Sequence, residues 1–231
     1  MPANHRVVSR AEWMKARAAF LAKEKEFTRA RDALSQARRE LPWEAIETDY
    51  VFDGPAGKQS LPELFDGRSQ LVVYHFMFGP GDKAGCPHCS FWADNFNDVI
   101  VHLNHRDTTM VAISRAPFAK LSAYQQRMGW KFKWLSSGGT TFNFDMGASF
   151  TPGELEKPVY NFGTQAPEGS DREGISVFFK DDDGRIYRTY ATFSRGIDLM
   201  NTAYNYLDLT PKGRDEGHRG QFWVRRHDEY R

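Results

Sequence analysis

Leu71-Val72-Val73-Tyr74-His75-Phe76-Met77-Phe78, then Gly79-Pro80-Gly81-Asp82-Lys83-Ala84-Gly85, then Cys86-Pro87-His88-Cys89 is the stretch on which the fold turns. The first eight residues read as a buried strand, an apolar run bounded by turn residues. The next seven hold three glycines and a proline and read as a loop. From about Pro87 to Leu103 the spacing of Trp92, Phe96, Val99 and Leu103 predicts one helix. Cys86 and Cys89 are the only two cysteines, one helical turn apart, close enough to close a disulfide or to share a metal. A cysteine at a helix N-terminus meets the positive end of the helix dipole and unpaired backbone N–H groups. Both favour the thiolate, which is the nucleophile. Cys86 is therefore the expected attacking sulfur, with a pKa below the ordinary value of about 8.5. Cys89, one turn inside, is the expected resolving thiol. Pro87 fixes the first turn and removes an N–H that would lack a helical partner anyway. His88 is a candidate positive neighbour that tunes the pair.

The rest of the composition narrows the class. The 231 residues suit one domain with extensions, and 40% hydrophobic with 26% charged residues is a globular balance. A net charge of +1 gives no whole-chain field toward nucleic acid. Residues 1–40 carry ten Lys/Arg against five Asp/Glu, which reads as a solvated basic helix face. Met1 to Phe27 lacks an apolar signal-peptide core, and no run reaches membrane-spanning length. The expected location is the cytoplasm, where a lone cysteine pair is more often catalytic or metal-binding than a structural staple.

Residues 9–40 read as one long helix, with Trp13, Phe20, Phe27, Leu34 and Leu41 recurring every seven residues. Such a stripe fits an arm lying across its own domain or an arm for homodimerisation; Pro42 ends it. Residues 50–58 look like a short hairpin, followed by a loop at 61–65. Thr108–Ser114 and Lys131–Leu135 read as strands on either side of a helix opened by Pro117, with Phe118, Leu121, Tyr124 and Met128 inward. Residues 138–173, with six glycines and three prolines, read as a loop insertion. Its aromatic residues Phe142, Phe144, Phe150, Tyr160 and Phe162 predict that it packs, as a lid or across a dimer interface. Ile175–Phe179 and Arg185–Thr192 form a predicted hairpin about Asp182-Asp183-Gly184. A helix with Ile197, Met200, Tyr204 and Leu207 on one face follows, and a charged tail from Pro211 is expected to be extended. The organisation is an arm (1–42), a core domain (43–210) and a tail (211–231). The strand–helix alternation predicts an α/β fold with a central mixed sheet flanked by helices. A Cys-x-x-Cys between strand and helix in such a domain is the pattern of thioredoxin-like thiol–disulfide chemistry.

A metal reading competes. Cys86-x2-Cys89-x12-His102-x2-His105 nearly scans as a zinc finger, but the last spacing is one residue short. In one continuous helix His102 would also lie roughly 20 Å from Cys89, at about 1.5 Å rise per residue. His102 and His105 are better read as a polar cluster at a helix C-terminus. Two thiolates joined by His75 or a loop ligand remain a metal-binding alternative, for which Cu(I) suits soft sulfur.

GCPHCSFWADNFN, RMGWKFKWLSS, FNFD, TYATFSRG and YLDLTPKGR together resemble a bacterial domain-of-unknown-function family with the AhpC/TSA thioredoxin-like fold. The resemblance covers nearly the whole chain. It implies a thioredoxin-like fold and a redox dithiol at Cys86 and Cys89, and its members are generally described as predicted dithiol–disulfide oxidoreductases. Thioredoxins carry a cis-proline just before the strand facing the dithiol. Gly174 stands in that place here, after Arg172-Glu173, which permits close approach but does not impose a cis bond. A peroxiredoxin would show Pro-x3-Thr-x2-Cys, where this chain has Gly79 and Lys83. Asp94, Trp92 and Gly174 are candidate supporting residues: Asp94 as proton acceptor or hydrogen-bond anchor, Trp92 as a shield over the thiols.

The expected activity is thiol–disulfide exchange on a thiol or disulfide substrate, with a cellular thiol reductant as partner and no organic cofactor. Metal carriage by the two thiolates, peroxide reduction on the same fold, and a redox-silent dimerising scaffold are the alternatives.

Overall fold

The computed structural model describes residues 5–230, so Met1–Asn4 of the expected arm and Arg231 of the expected tail lie outside the described residues. The first element is α1 (Arg10–Arg39), opened by a capping box in which Ser9 and Glu12 satisfy each other's backbone N–H. Three short strands follow: β1 (Glu44–Ile46) at one edge of the sheet, and the hairpin of β2 (Val51–Gly54) and β3 (Gly57–Ser60) at the other. The 61–65 segment is not loop but a helical turn, α2 (Leu61–Leu64), because Ser60 and Glu63 also form a capping box.

The centre is a βα unit: β4 (Gln70–His75), the dithiol loop, α3 (Pro87–Ala93), α4 (Ile100–His105) and β5 (Thr108–Ser114). Next come α5 (Phe118–Arg127), β6 (Lys133–Ser136) and α6 (Phe142–Asp145). The hairpin of β7 (Gly174–Lys180) and β8 (Ile186–Phe193) leads through a 3-10 stretch at Ser194–Met200 into α7 (Thr202–Leu207). All eight strands form one sheet in the order β1-β8-β7-β4-β5-β6-β2-β3. β4, β5 and β6 run parallel, while β7 is antiparallel to both β4 and β8. A parallel pair β4–β5 bridged by the dithiol helix, beside an antiparallel β7–β8 hairpin, is the thioredoxin-like arrangement that the sequence predicts. Among the described residues, no helix is long and apolar enough to cross a membrane.

β4 is covered on both faces, which is why it reads as an unbroken apolar run. Leu71 and Val73 join one core with Val111, Ile113, Phe142 and Phe178. Tyr74 and Phe76 join the other with Cys89, Trp92, Trp130 and Trp134. The strand is shorter than expected: Phe76, Met77 and Phe78 lie beyond it, on the way to the cysteines.

The expected single helix 87–103 is two helices. Asp94, Asn95 and Asn97 have short polar side chains that compete with helical backbone bonds. Asn95 Nδ2 donates to the carbonyls of Phe91 and Trp92, its Oδ1 accepts from the Thr202 N–H, and Asn97 Oδ1 accepts from the Lys131 N–H. The break leaves Val99 exposed rather than inward. It also removes the straight-helix distance argument against His102. That residue and His105 nevertheless sit in the last turn of α4, as the helix-end reading expected.

The expected insertion 138–173 folds onto its own domain. Phe142 is fully buried, Phe150 and Tyr160 pack with Phe193, and only its end at Glu168–Glu173 reaches the dithiol side. The tail is not extended. Val224 is buried, Trp223 packs against the dithiol-side core, and the Arg226 guanidinium donates twice to the Gly85 carbonyl, at 2.8 and 3.1 Å. By contrast α1 has no buried residue, and Trp13, Phe20, Phe27 and Leu34 stay more than half exposed. The arm therefore does not lie across its own domain. Its C-terminal end alone meets the sheet, with Arg38 stacked over Tyr190.

Candidate active site

Cys86 is the N-cap residue of α3 and is half-buried, while Cys89 is 1% exposed; both are free thiols. The loop before them is held shut by backbone. The Cys86 N–H donates to the Met77 carbonyl, and the Met77 N–H donates to Cys89 Sγ at 3.4 Å. The Ser90 hydroxyl bonds both the Cys86 carbonyl and the Tyr124 hydroxyl, each at 2.8 Å. Gly85 must be glycine: a Cβ there would stand 2.7 Å from the Tyr124 ring and 2.9 Å from that of Phe76.

The two thiols are driven apart in acidity. Cys86 is lowered to about 7, chiefly because the Cys89 thiol donates to it, helped by the backbone N–H groups of Cys89 and His88 at the start of α3. Burial and the negative charge of Glu173 oppose this. Cys89 goes well up, first through burial and then because it serves as the donor to Cys86. Above about pH 7 the pair therefore holds one thiolate, on Cys86, with the remaining proton on Cys89.

His88 does not supply the positive charge expected of it. It is exposed at the mouth of the site, and desolvation lowers its pKa against the raising effect of Glu173, so its ring is neutral at pH 7. Only its backbone N–H supports the thiolate. Pro87 takes the first helical position as expected. Trp92 is buried and lines the same cavity as Cys89, its indole N–H fixed on the Ile197 carbonyl at 2.9 Å. Asp94 is an anchor. It accepts from the Trp130 indole at 2.8 Å and pairs with His227 Nδ1 at 2.7 Å, holding the tail to the dithiol helix. Gly174 sits opposite His75 at the start of β7, and a Cβ there would collide with the Phe193 ring. Its bond to Glu173 is trans, as are all peptide bonds among the described residues.

His75 lies on the other face of the sheet. Its Nε2 is 2.9 Å from Ser176 Oγ, its ring packs on Phe142, and burial pushes its pKa down to about 3. It cannot join the two thiolates on one metal. Lys83, three residues before Cys86, is exposed, and Gly79 closes a turn on Asp82.

Beside Cys89 opens a cavity of about 250 Å³. Tyr74 and Trp92 form part of its apolar wall, Glu173 and Arg172 come from the end of the 138–173 segment, and Arg195 and Asp198 come from the stretch after β8. The Tyr74 hydroxyl is fully buried there against the Cys89 thiol, with no hydrogen bond of ordinary geometry among the described residues; burial first, and then Cys89, push its pKa well up. Sequence reasoning missed Tyr74, Arg172 and Glu173. Glu173 was the most accessible of these, since it precedes the glycine that marks the place facing the dithiol.

The sequence profile of a family described as "Bacterial protein of unknown function (DUF899)" matches residues 2–230. The chain belongs to that family. No curated protein matches this DUF899 member significantly. Among solved structures it is similar to the peroxidoxin BcpB from Mycobacterium tuberculosis, at 16% identity and a TM-score of 0.47 over 69% of this chain and 93% of that one. It is also similar to a cysteine-to-serine mutant of PrxQ from Xylella fastidiosa, at 11% identity and a TM-score of 0.45 over 71% and 95% of the two chains. These scores are too low to carry chemistry from those proteins to this one.

Proposed function

We propose that this DUF899 protein is a thiol–disulfide oxidoreductase with Cys86 as attacking and Cys89 as resolving thiol. One observation carries the reading: a half-buried Cys86 lowered to about 7 at a helix start, backed by a buried Cys89 that keeps its proton, beside a cavity. The Cys86 thiolate attacks one sulfur of a disulfide. The substrate S–S bond breaks, and the first thiolate leaves and takes a proton from water. Cys89 then gives up its proton and attacks the Cys86 sulfur, releasing the second thiolate and closing the Cys86–Cys89 disulfide. Two electrons pass from protein to substrate, and a cellular dithiol reductant returns them. The dithiol suffices for this chemistry without an organic cofactor.

The test uses reduced protein, a disulfide and mass spectrometry of the intact chain. Cys86→Ser is expected to abolish turnover and adduct formation. Cys89→Ser is expected to accumulate the mixed disulfide on Cys86. Full turnover by Cys86→Ser would sink the assignment. Metal carriage gains no support from His75, which the sheet separates from the thiols. Peroxide reduction gains none from Lys83 and Gly79.

A further inference from the structure

The helix α1 spans 30 residues, about 45 Å at 1.5 Å rise per residue, and none of them is buried. A helix in a folded protein ordinarily draws its stability from packing an apolar face, and this chain's own domain supplies no such packing. Trp13, Phe20 and Phe27 are 55%, 55% and 69% exposed. Leu34 is 54% exposed, so the stripe stays open even at the root of the arm, where Arg38 stacks over Tyr190. At roughly 150–250 Å² per aromatic side chain, the three rings alone offer roughly 250–450 Å². That is comparable with the roughly 300–600 Å² of the largest apolar patch on a typical monomer. It is also about half of the roughly 800 Å² that each partner buries in a stable interface.

The stripe is narrow and its two flanks differ in sign. In a heptad written abcdefg, Trp13, Phe20, Phe27 and Leu34 take position a, and Ala16, Lys23, Ala30 and Ala37 take position d. A seam this narrow suits a second helix rather than a broad apolar surface such as a membrane. The g flank carries Glu12 and Glu26 with two alanines, and the e flank carries Arg17, Arg31 and Arg38 with Glu24. Two parallel helices set each g residue beside the e residue five positions further along the partner. Against a second copy of this arm, Glu12 then meets the partner's Arg17 and Glu26 meets the partner's Arg31, and no like charges meet across the flanks. Two antiparallel helices set g beside g and e beside e, which turns the acidic flank and the mostly basic flank each against itself. Arg17 already pairs along its own helix with Glu24 at 2.8 Å, while among the described residues Glu26 and Arg31 have no ion-pair partner.

We propose that α1 is a dimerisation element that pairs with α1 of a second copy as a parallel two-stranded coiled coil, with both domains at its C-terminal end. Aromatic layers at a alternate with small layers at d, so large and small side chains fill the seam in turn. Lys23, the one charged residue of the seam, costs stability and pins the register. The flank charges add little affinity at an exposed site and act instead on the choice of partner and direction. The proposal stands apart from the dithiol reading.

The test is sedimentation equilibrium of the whole protein from about 1 to 100 μM, where a dimer is expected. Phe20→Glu combined with Phe27→Glu is expected to raise the dimer dissociation constant at least about hundredfold, with the Cys86 inflection kept near pH 7 as a check that the domain is intact. Arg31→Glu is expected to weaken the dimer about fivefold or more, and Glu26→Arg added to it to restore the affinity. Five positions apart, those two residues cannot pair within one helix, so the rescue reads contact between copies. Direction is read by oxidising Ala16→Cys in a Cys86→Ser, Cys89→Ser background. A parallel pair brings the two copies of position 16 together and is expected to cross-link, whereas an overlapped antiparallel pair holds them more than about 15 Å apart. A monomer throughout the concentration range, whether or not it binds phosphatidylglycerol vesicles, would overturn the proposal. So would a dimer indifferent to the paired phenylalanine changes, a dimer that Glu26→Arg fails to rescue, or one that does not cross-link at position 16.

Discussion

The pKa of Cys86, about 7, sets how the protein meets an electrophile. Below that pH the alkylation rate by iodoacetamide is expected to rise about tenfold per unit, and above it to level off. Glu173 is the adjustable element, because its charge raises both thiols. Glu173→Gln removes that charge, so the Cys86 inflection is expected to move to lower pH, as read by thiolate absorbance. A more stable thiolate favours the reduced form, so the Cys86–Cys89 potential is expected to become more oxidising in the same variant. An inflection that stays in place or moves up would contradict the assigned role of Glu173. His88→Ala, by contrast, is expected to leave the inflection nearly in place, since the ring is neutral and the backbone N–H remains. The sequence made Cys86, Cys89 and Pro87 legible because helix-start chemistry is local. The lowered pKa of His88 was not legible, since it follows from desolvation that outweighs the opposing charge of Glu173, 85 positions away along the chain.

At the scale of elements, strands were read well and helix continuity poorly. Thr108–Ser114 is the strand that its β-branched run predicts, because burial on both faces leaves a direct mark on composition. The break between α3 and α4 was hidden: the apolar spacing of Trp92, Phe96 and Leu103 fits one helix, while the Asn95 and Asn97 side chains bond backbone groups instead. Gly174 was singled out for a reason the structure changes. It leaves room for the Phe193 ring across the β7–β8 ladder. Gly174→Ala is expected to lower stability by about 1–3 kcal/mol in urea titration, the usual cost of forcing a methyl into a packed site. A neutral result would mean that the ring moves aside freely.

Across the whole molecule, the sheet and the order of its elements followed from the strand–helix alternation, and the placement of the two ends did not. The heptad stripe of α1 fitted an arm across its own domain or an arm for homodimerisation, and the helix leaves that stripe exposed, which excludes the first. The highly charged tail was expected to be extended, yet Trp223 and Val224 pack against the dithiol-side core and Arg226 grips the loop before Cys86. Charge composition misled because the charges of the tail are used in specific pairs, such as Arg127 with Asp228 at 2.7 Å. Arg226→Ala is expected to cost about 1.5–3 kcal/mol, as it strips a charged donor from a buried carbonyl. Hydrogen exchange across residues 79–86 is expected to rise with it. Unchanged exchange there would show that the grip is incidental.

The grip on Gly85 by Arg226 spans 141 positions. At synthesis rates of about 5–20 residues per second, roughly 7 to 30 s separate the emergence of the cysteines from that of the residue that clamps their loop. A nascent chain thus carries its thiols past the translation machinery before their loop is clamped, and the site is completed only once a segment far downstream of the cysteines has been made.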